Sequence, residues 1–174
     1  MIGLLPRRLF ASAVLALAPW LVGTGCGGSA PSPTGPQAEV FFEFDTAAVN
    51  EGIPTQVKIV ANTAYEFHSF DIDIKVPHQN ALLHSVLPSA PFDDNGILFV
   101  TPSYNIWAGE IHRIVDFRHG SSSATGLVEL AEFTMIPHTG TASAVLEFTK
   151  VKIADASGEE FTVTPQNRNF TILE

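Results

Sequence analysis

The sequence predicts an all-β protein, a two-layer antiparallel β-sandwich of eight or nine strands, and three observations carry that prediction. Short apolar runs recur from Glu39 onward with turn residues between them, and none keeps a helical period through three clean turns. Several runs alternate apolar and polar side chains, which on a strand places one set on a buried face and the other in water. The chain has a single cysteine, Cys26, so no intramolecular disulfide can form and stability must come from apolar burial and sheet hydrogen bonds.

From the amino terminus, Met1 to Arg8 carry two positive charges, Arg7 and Arg8, and no acid. Leu9 to Val22 are almost wholly apolar, and Gly23-Thr24-Gly25-Cys26 follow. This is the layout of a secretory signal. A membrane span needs ~20 apolar residues, and Leu9 to Val22 is shorter and contains Pro19. Thr24-Gly25-Cys26 resembles the lipobox of bacterial lipoproteins, although Gly23 stands where leucine is commoner. That resemblance implies removal of residues 1–25, acylation of Cys26, and a protein exported and lipid-anchored to the cell envelope, facing the periplasm or the cell surface. The alternative is an ordinary cleavage site with Cys26 left as an unpaired thiol.

Loss of residues 1–25 takes Arg7 and Arg8 with it and leaves 7 basic and 18 acidic side chains, a net charge of −11. Without a basic patch to neutralise phosphates, nucleic acid and anionic lipid headgroups are excluded as partners. Gly27 to Gln37 read GGSAPSPTGPQ, with nothing large to bury, so residues 26–38 are expected to be a flexible tether. Residues 39–174 are long enough for one domain with its own core.

Along that domain, Val40, Phe42 and Phe44 share one face of the first expected strand. Val57, Ile59 and Ala61 do the same, with Gln56, Lys58 and Asn62 opposite. The clearest alternation is Phe70, Ile72, Ile74 and Val76 against Asp71, Asp73 and Lys75. Further strands are expected at 96–100, 110–118, 126–136, 144–148 with 151–153, 161–163 and 169–173. The run 126–136 also suits a short helix, because Leu127, Leu130 and Phe133 recur every three residues. Asn50-Glu51-Gly52, Asp93-Asp94-Asn95-Gly96, Thr139-Gly140 and Ala156-Ser157-Gly158 supply the reversals.

Four stretches also carry a family likeness: Val49 to Ile59 with its Asn50-Glu51-Gly52 turn; Phe70 to Ile74 followed by Ala81-Leu82-Leu83; Gly126 to Phe133; and Gly140 to Leu146 with Val151 to Gly158, read as a closing hairpin and its Asp-x-x-Gly turn. In this order they resemble the cohesin domain, a β-sandwich of jelly-roll topology known from cellulosome scaffolds. The resemblance spans nearly all of 39–174 and implies a noncatalytic module that engages a protein partner. Cohesins usually have Tyr-Asp-Pro after the strand matching Phe70 to Ile74, where this chain reads Lys75-Val76-Pro77-His78. Two polar positions that help hold dockerin fall near Phe67 and Ser69, and that pair is not reproduced. These departures argue against dockerin as the ligand. Carbohydrate-binding sandwiches share the architecture, so a polysaccharide is the alternative ligand, and a structural subunit of an envelope or secretion assembly is the alternative role.

Catalytic signatures are missing from the sequence: no Gly-x-Ser-x-Gly elbow and no second cysteine occur. The six histidines are scattered, without the close spacing that zinc ligands need, and no cofactor motif is present. Asp71 and Asp73 read as a solvated sheet face whose charge Lys75 offsets, and Asp93 to Gly96 reads as a plain turn rather than a calcium loop. Of the aromatics Tyr65, Phe67, Phe92, Phe99, Tyr104 and Trp107, the last two lie in Thr101 to Gly109, which reads as a loop. Tyr104 and Trp107 are therefore the candidate binding residues at the rim of the sandwich. Replacing Cys26 with serine is expected to abolish acylation and release the protein from the membrane fraction with its fold unchanged. A serine variant that stays membrane-bound, with no lipid on the wild type by mass spectrometry, overturns the lipobox reading.

Overall fold

Alternating burial sorts the chain into two sheets whose inner faces meet. The structure, a computed structural model, describes residues 35–44, 48–89, 102–105, 107–117, 123–138 and 143–174. The signal segment, Cys26, most of the tether, the expected strand at 96–100, Phe92, Phe99 and the turns at 93–96 and 139–140 lie outside the described residues.

In chain order the strands are β1 (Gln37–Glu43), β2 (Ala48–Asn50), β3 (Thr55–Phe67), β4 (Ser69–Lys75), β5 (Ala81–Pro88), β6 (Ser103–Asn105), β7 (Glu110–Phe117), β8 (Ala124–Pro137), β9 (Ala144–Ala154), β10 (Thr162–Gln166) and β11 (Arg168–Leu173). One sheet has the order β10-β1-β3-β8-β5 and the other β2-β11-β9-β4-β7-β6. The expected sandwich is present, with eleven strands among the described residues rather than eight or nine. The additional β2 and β6 have three residues each, too few to show a period.

The expectation of purely antiparallel pairing is corrected at two places. β1 pairs in parallel with β10, and β2 pairs in parallel with β11. Parallel neighbours need a long connection, and here nearly the whole domain separates them. The two ends of the domain thus lie side by side, each end contributing one strand to each sheet.

Two bulges explain where sequence periodicity misled. Opposite β3, Ile59 pairs with Ala131 and Val60 with Glu129, so Leu130 is an extra residue in β8. The phase shifts there, which buries Val128, Leu130, Ala131 and Phe133 and leaves Leu127 exposed. A bulged strand had therefore produced the helix-like spacing. In β9, Lys150 pairs with Asp73 and Phe148 with Ile74, leaving Thr149 extra. The runs 144–148 and 151–153 are accordingly one strand and not the two arms of a hairpin.

The predicted inward faces are inward. Val40, Phe42, Phe44, Val57, Ile59, Ala61, Phe70, Ile72, Ile74 and Val76 are all buried. Phe42 from the five-stranded sheet stacks on Phe148 of the six-stranded sheet, with ring centroids 3.9 Å apart, and meets Phe133 edge-on at 6.3 Å. At one end of the sandwich the Thr162 amide donates to the Pro36 carbonyl, so the chain from the tether enters there, beside the His68 link between β3 and β4. The opposite end gathers Gly52, Lys75, Gly109, Glu110 and Pro137. Gly109 has φ +67°, and a Cβ there would collide with the Val76 carbonyl oxygen, so only glycine fits.

Ile72→Asp tests this core. An unpaired carboxylate beside Phe70 and Ile74 costs several kcal/mol against a typical domain stability of ~5–15 kcal/mol. Denaturant unfolding is expected to show a lost or severely weakened transition, whereas Asp71→Asn, which breaks only a half-exposed ion pair, should shift stability by about 1 kcal/mol or less. Equal damage from both changes overturns the assigned register.

Candidate binding surfaces

The two outer sheet faces differ in charge balance. On β4, β7 and β9 the charged residues that face outward or stand exposed are Asp71, Asp73, Glu110 and Glu147 against Lys75, Arg113, Lys150 and Lys152, four of each sign. On β1, β3 and β8 the five-stranded sheet has Glu39, Glu43, Glu66, Glu129 and Glu132 against Lys58, a net of −4. The β4–β7–β9 strands are therefore balanced in charge on a strongly acidic molecule, with Glu160 beside them paired to Lys152.

Register holds that neutral face in place. Asp71 pairs with Lys150 from the neighbouring β9. Asp73 lies 3.3 Å from the His112 imidazole and accepts the Arg113 backbone amide at 2.7 Å, where a bulge in β7 puts Arg113 at φ +62°. Glu110 takes the other side of His112 at 3.1 Å and reaches Lys75 at 3.2 Å. Lys75 was expected to offset Asp71 and Asp73; it serves Glu110 instead, because Lys75 and Glu110 are register partners. Sequence spacing gave no signal for Lys150 or His112, which come from other strands.

This network shifts two titrations. The hydrogen bond from Lys75, followed by that from His112, holds the Glu110 carboxyl below its ordinary value. Burial opposes the charged form of His112, yet the hydrogen bonds and charges of Asp73 and Glu110 outweigh it and raise the imidazole above its ordinary value.

At the rim, Tyr104 and Trp107 have different surroundings. Thr101 to Gly109 was expected to be a loop, but Ser103–Asn105 is an edge strand paired with β7. Tyr104 is opposite Ile111, on the inward side of the sheet, and its hydroxyl accepts the Val86 backbone amide of β5 at 3.0 Å. It is 41% exposed and bridges the open edge between the two sheets. Trp107 is 87% exposed in the turn before β7. It lines a hollow of about 360 Å³ with His78, Leu82 and His138, three residues that sequence reasoning did not connect to it. Of the other aromatics, Phe67 is fully buried and Tyr65 half exposed. Phe67 thus cannot present the partner contact expected of that position in a dockerin-binding cohesin, and Ser69 beside it is half-buried.

Among the described residues no group of three histidine, cysteine or acidic side chains is arranged to hold a metal. The Asp155 turn is self-contained: its carboxylate accepts the Ser157 hydroxyl and the Ser157 and Glu159 amides, bonds that hold its pKa low, with Gly158 at φ +85°.

The sign of the His112 shift gives a pH test. A raised folded value means that its contribution is complete below the ordinary histidine value of ~6.5 and is lost as pH rises through the folded value. The unfolding midpoint of the wild type is expected to decline over that rise more than that of His112→Gln. Parallel pH profiles would show that the imidazole is not held by Asp73 and Glu110.

No protein-family model and no curated protein sequence matches the chain. Solved structures do. A non-cellulosomal cohesin from the archaeon Archaeoglobus fulgidus superposes with a TM-score of 0.63 at 16% identity, covering 79% of this chain and 92% of that one. The cohesin of a type II cohesin–X-dockerin complex from Acetivibrio cellulolyticus gives 0.65 at 10% identity, covering 78% and 99%. The cohesin module of a family 33 glycoside hydrolase from Clostridium perfringens gives 0.61 at 12%, covering 79% and 96%. The sandwich formed by the two sheets has a cohesin-like fold.

Proposed function

We propose that this chain is a noncatalytic, lipid-anchored module of the cell envelope that captures a protein partner on the outer face of its six-stranded sheet. The cohesin fold supports a binding role, since several of the similar cohesins were solved bound to dockerins. The observation that carries the choice of face is charge. On a processed chain of net charge −11, the β4–β7–β9 surface is where an acidic envelope protein would meet least repulsion. Its side chains are already fixed by mutual ion pairs, which lowers the entropy lost on docking. A partner other than dockerin is indicated by buried Phe67, by Ser69 and by the absence of Tyr-Asp-Pro.

Capture from solubilised envelope by the tagged full-length protein tests the reading. Lys75→Glu with Lys150→Glu, which turns the neutral face acidic, is expected to reduce capture by at least about tenfold. Lys58→Glu on the opposite face should leave it intact. Undiminished capture by the double variant, with its melting temperature preserved, would remove this face as the docking surface.

A further inference from the structure

We propose a second site, independent of the sheet face: the hollow at Trp107 binds one ring of an uncharged polysaccharide. Its walls come from three connections at the end of the sandwich away from the tether. Trp107 stands in the turn entering β7, His78 in the turn between β4 and β5, and His138 directly after β8, with Leu82 of β5 beside them. Backbone hydrogen bonds fasten these connections together. The Val76 amide donates to the Gly109 carbonyl at 2.9 Å and the His138 amide to the Asn80 carbonyl at 2.7 Å, while the Ala108 amide, donating to the Asn105 carbonyl at 3.1 Å, closes the Trp107 turn itself. The close approach of Gly109 to Val76 fixes the Trp107 turn further. The hollow is therefore formed before any ligand arrives.

The lining selects the ligand. An indole that is 87% exposed offers an apolar face, on which the C–H face of a pyranose packs while its hydroxyls point outward. His78 and His138 each provide a ring-nitrogen donor or acceptor at the margin for those hydroxyls. Among the described residues no aspartate, glutamate, lysine or arginine lines the hollow, although acids outnumber bases 18 to 9 in the whole chain. A neutral ligand matches that lining, and an anionic one finds no lysine or arginine among its described residues. A protein interface of ordinary size covers ~800 Å² on each partner, whereas Tyr104, the nearest exposed aromatic in sequence, turns inward to Val86 and adds no second anchor. Two imidazoles also fall short of the three or four protein ligands that zinc takes.

Trp107 is one of two tryptophans, the other being Trp20, so in the full-length Trp20→Phe protein its fluorescence reports on this hollow alone. Titration with cello-, xylo-, manno- and laminari-hexaose is expected to give a saturable fluorescence change with at least one of them, and none with a polygalacturonate hexamer. By calorimetry, Trp107→Ala and His138→Ala should each weaken that binding by at least about tenfold, with melting temperature and capture of the protein partner unchanged. Because Trp107 is exposed, its alanine variant should fold; Trp107→Phe, which keeps an aromatic face, should retain binding in part. The proposal is overturned by no response to any neutral hexaose up to about 10 mM, by equal binding of the anionic hexamer, or by binding that survives Trp107→Ala. Loss of protein capture in Trp107→Ala would instead assign the indole to the protein interface. Failure of the Lys75 and Lys150 variants to affect capture bears only on the sheet face.

Discussion

Everything in this domain depends on the apolar seam between two sheets that nothing covalent holds together. With Cys26 the only cysteine, the sheets stay joined through side chains that face each other. Phe42 bridges them most directly, stacked on Phe148 across the seam and edge-on to Phe133 in its own sheet. Phe70, Ile72, Ile74, Ile111 and Ile114 line the six-stranded side, with Ile59, Leu130 and Met135 on the other. Such a seam persists only if each strand keeps its register, because a slip of one residue sends every inward side chain to water.

Keeping register is what the irregular features do. The extra residues Leu130 and Thr149 re-phase two long strands so that apolar side chains before and after each bulge still reach the seam. The first and last strands of the domain pair at one edge of each sheet, β10 with β1 and β11 with β2, both in parallel. At the remaining open edge, the Tyr104 hydroxyl takes up the Val86 amide and links β6 to β5 across the sheets.

The same frame separates the surfaces on which recognition is proposed. Register on β4, β7 and β9 intersperses four acids with four bases and locks Asp71, Asp73, Glu110, His112 and Lys150 into ion pairs. The turns at the end opposite the tether leave Trp107 outside both sheets, over its own hollow. A broad charge-balanced face and a small hollow walled by an indole suit ligands of different size, and the rigid sandwich keeps them apart.

The sequence alone determined the class of fold and most of the core, because burial alternation is a local property of each strand. Val40, Phe42 and Phe44, or Phe70, Ile72 and Ile74, announce their inward faces without reference to any other segment. Gly52 and Gly158 likewise mark turns through their own positive φ. Tertiary structure alone decided whatever depends on which distant segments meet. Three-residue β2 and β6 exist only through their partners, and the helix-like spacing of 127, 130 and 133 became a strand because β3 and β5 flank it. Asp71 found Lys150, and Asp73 found His112, through pairing of strands far apart in the chain. His78 and His138 joined Trp107 because three connections end at the same place. Periodicity reports how a strand meets water; only register reports which side chains it meets.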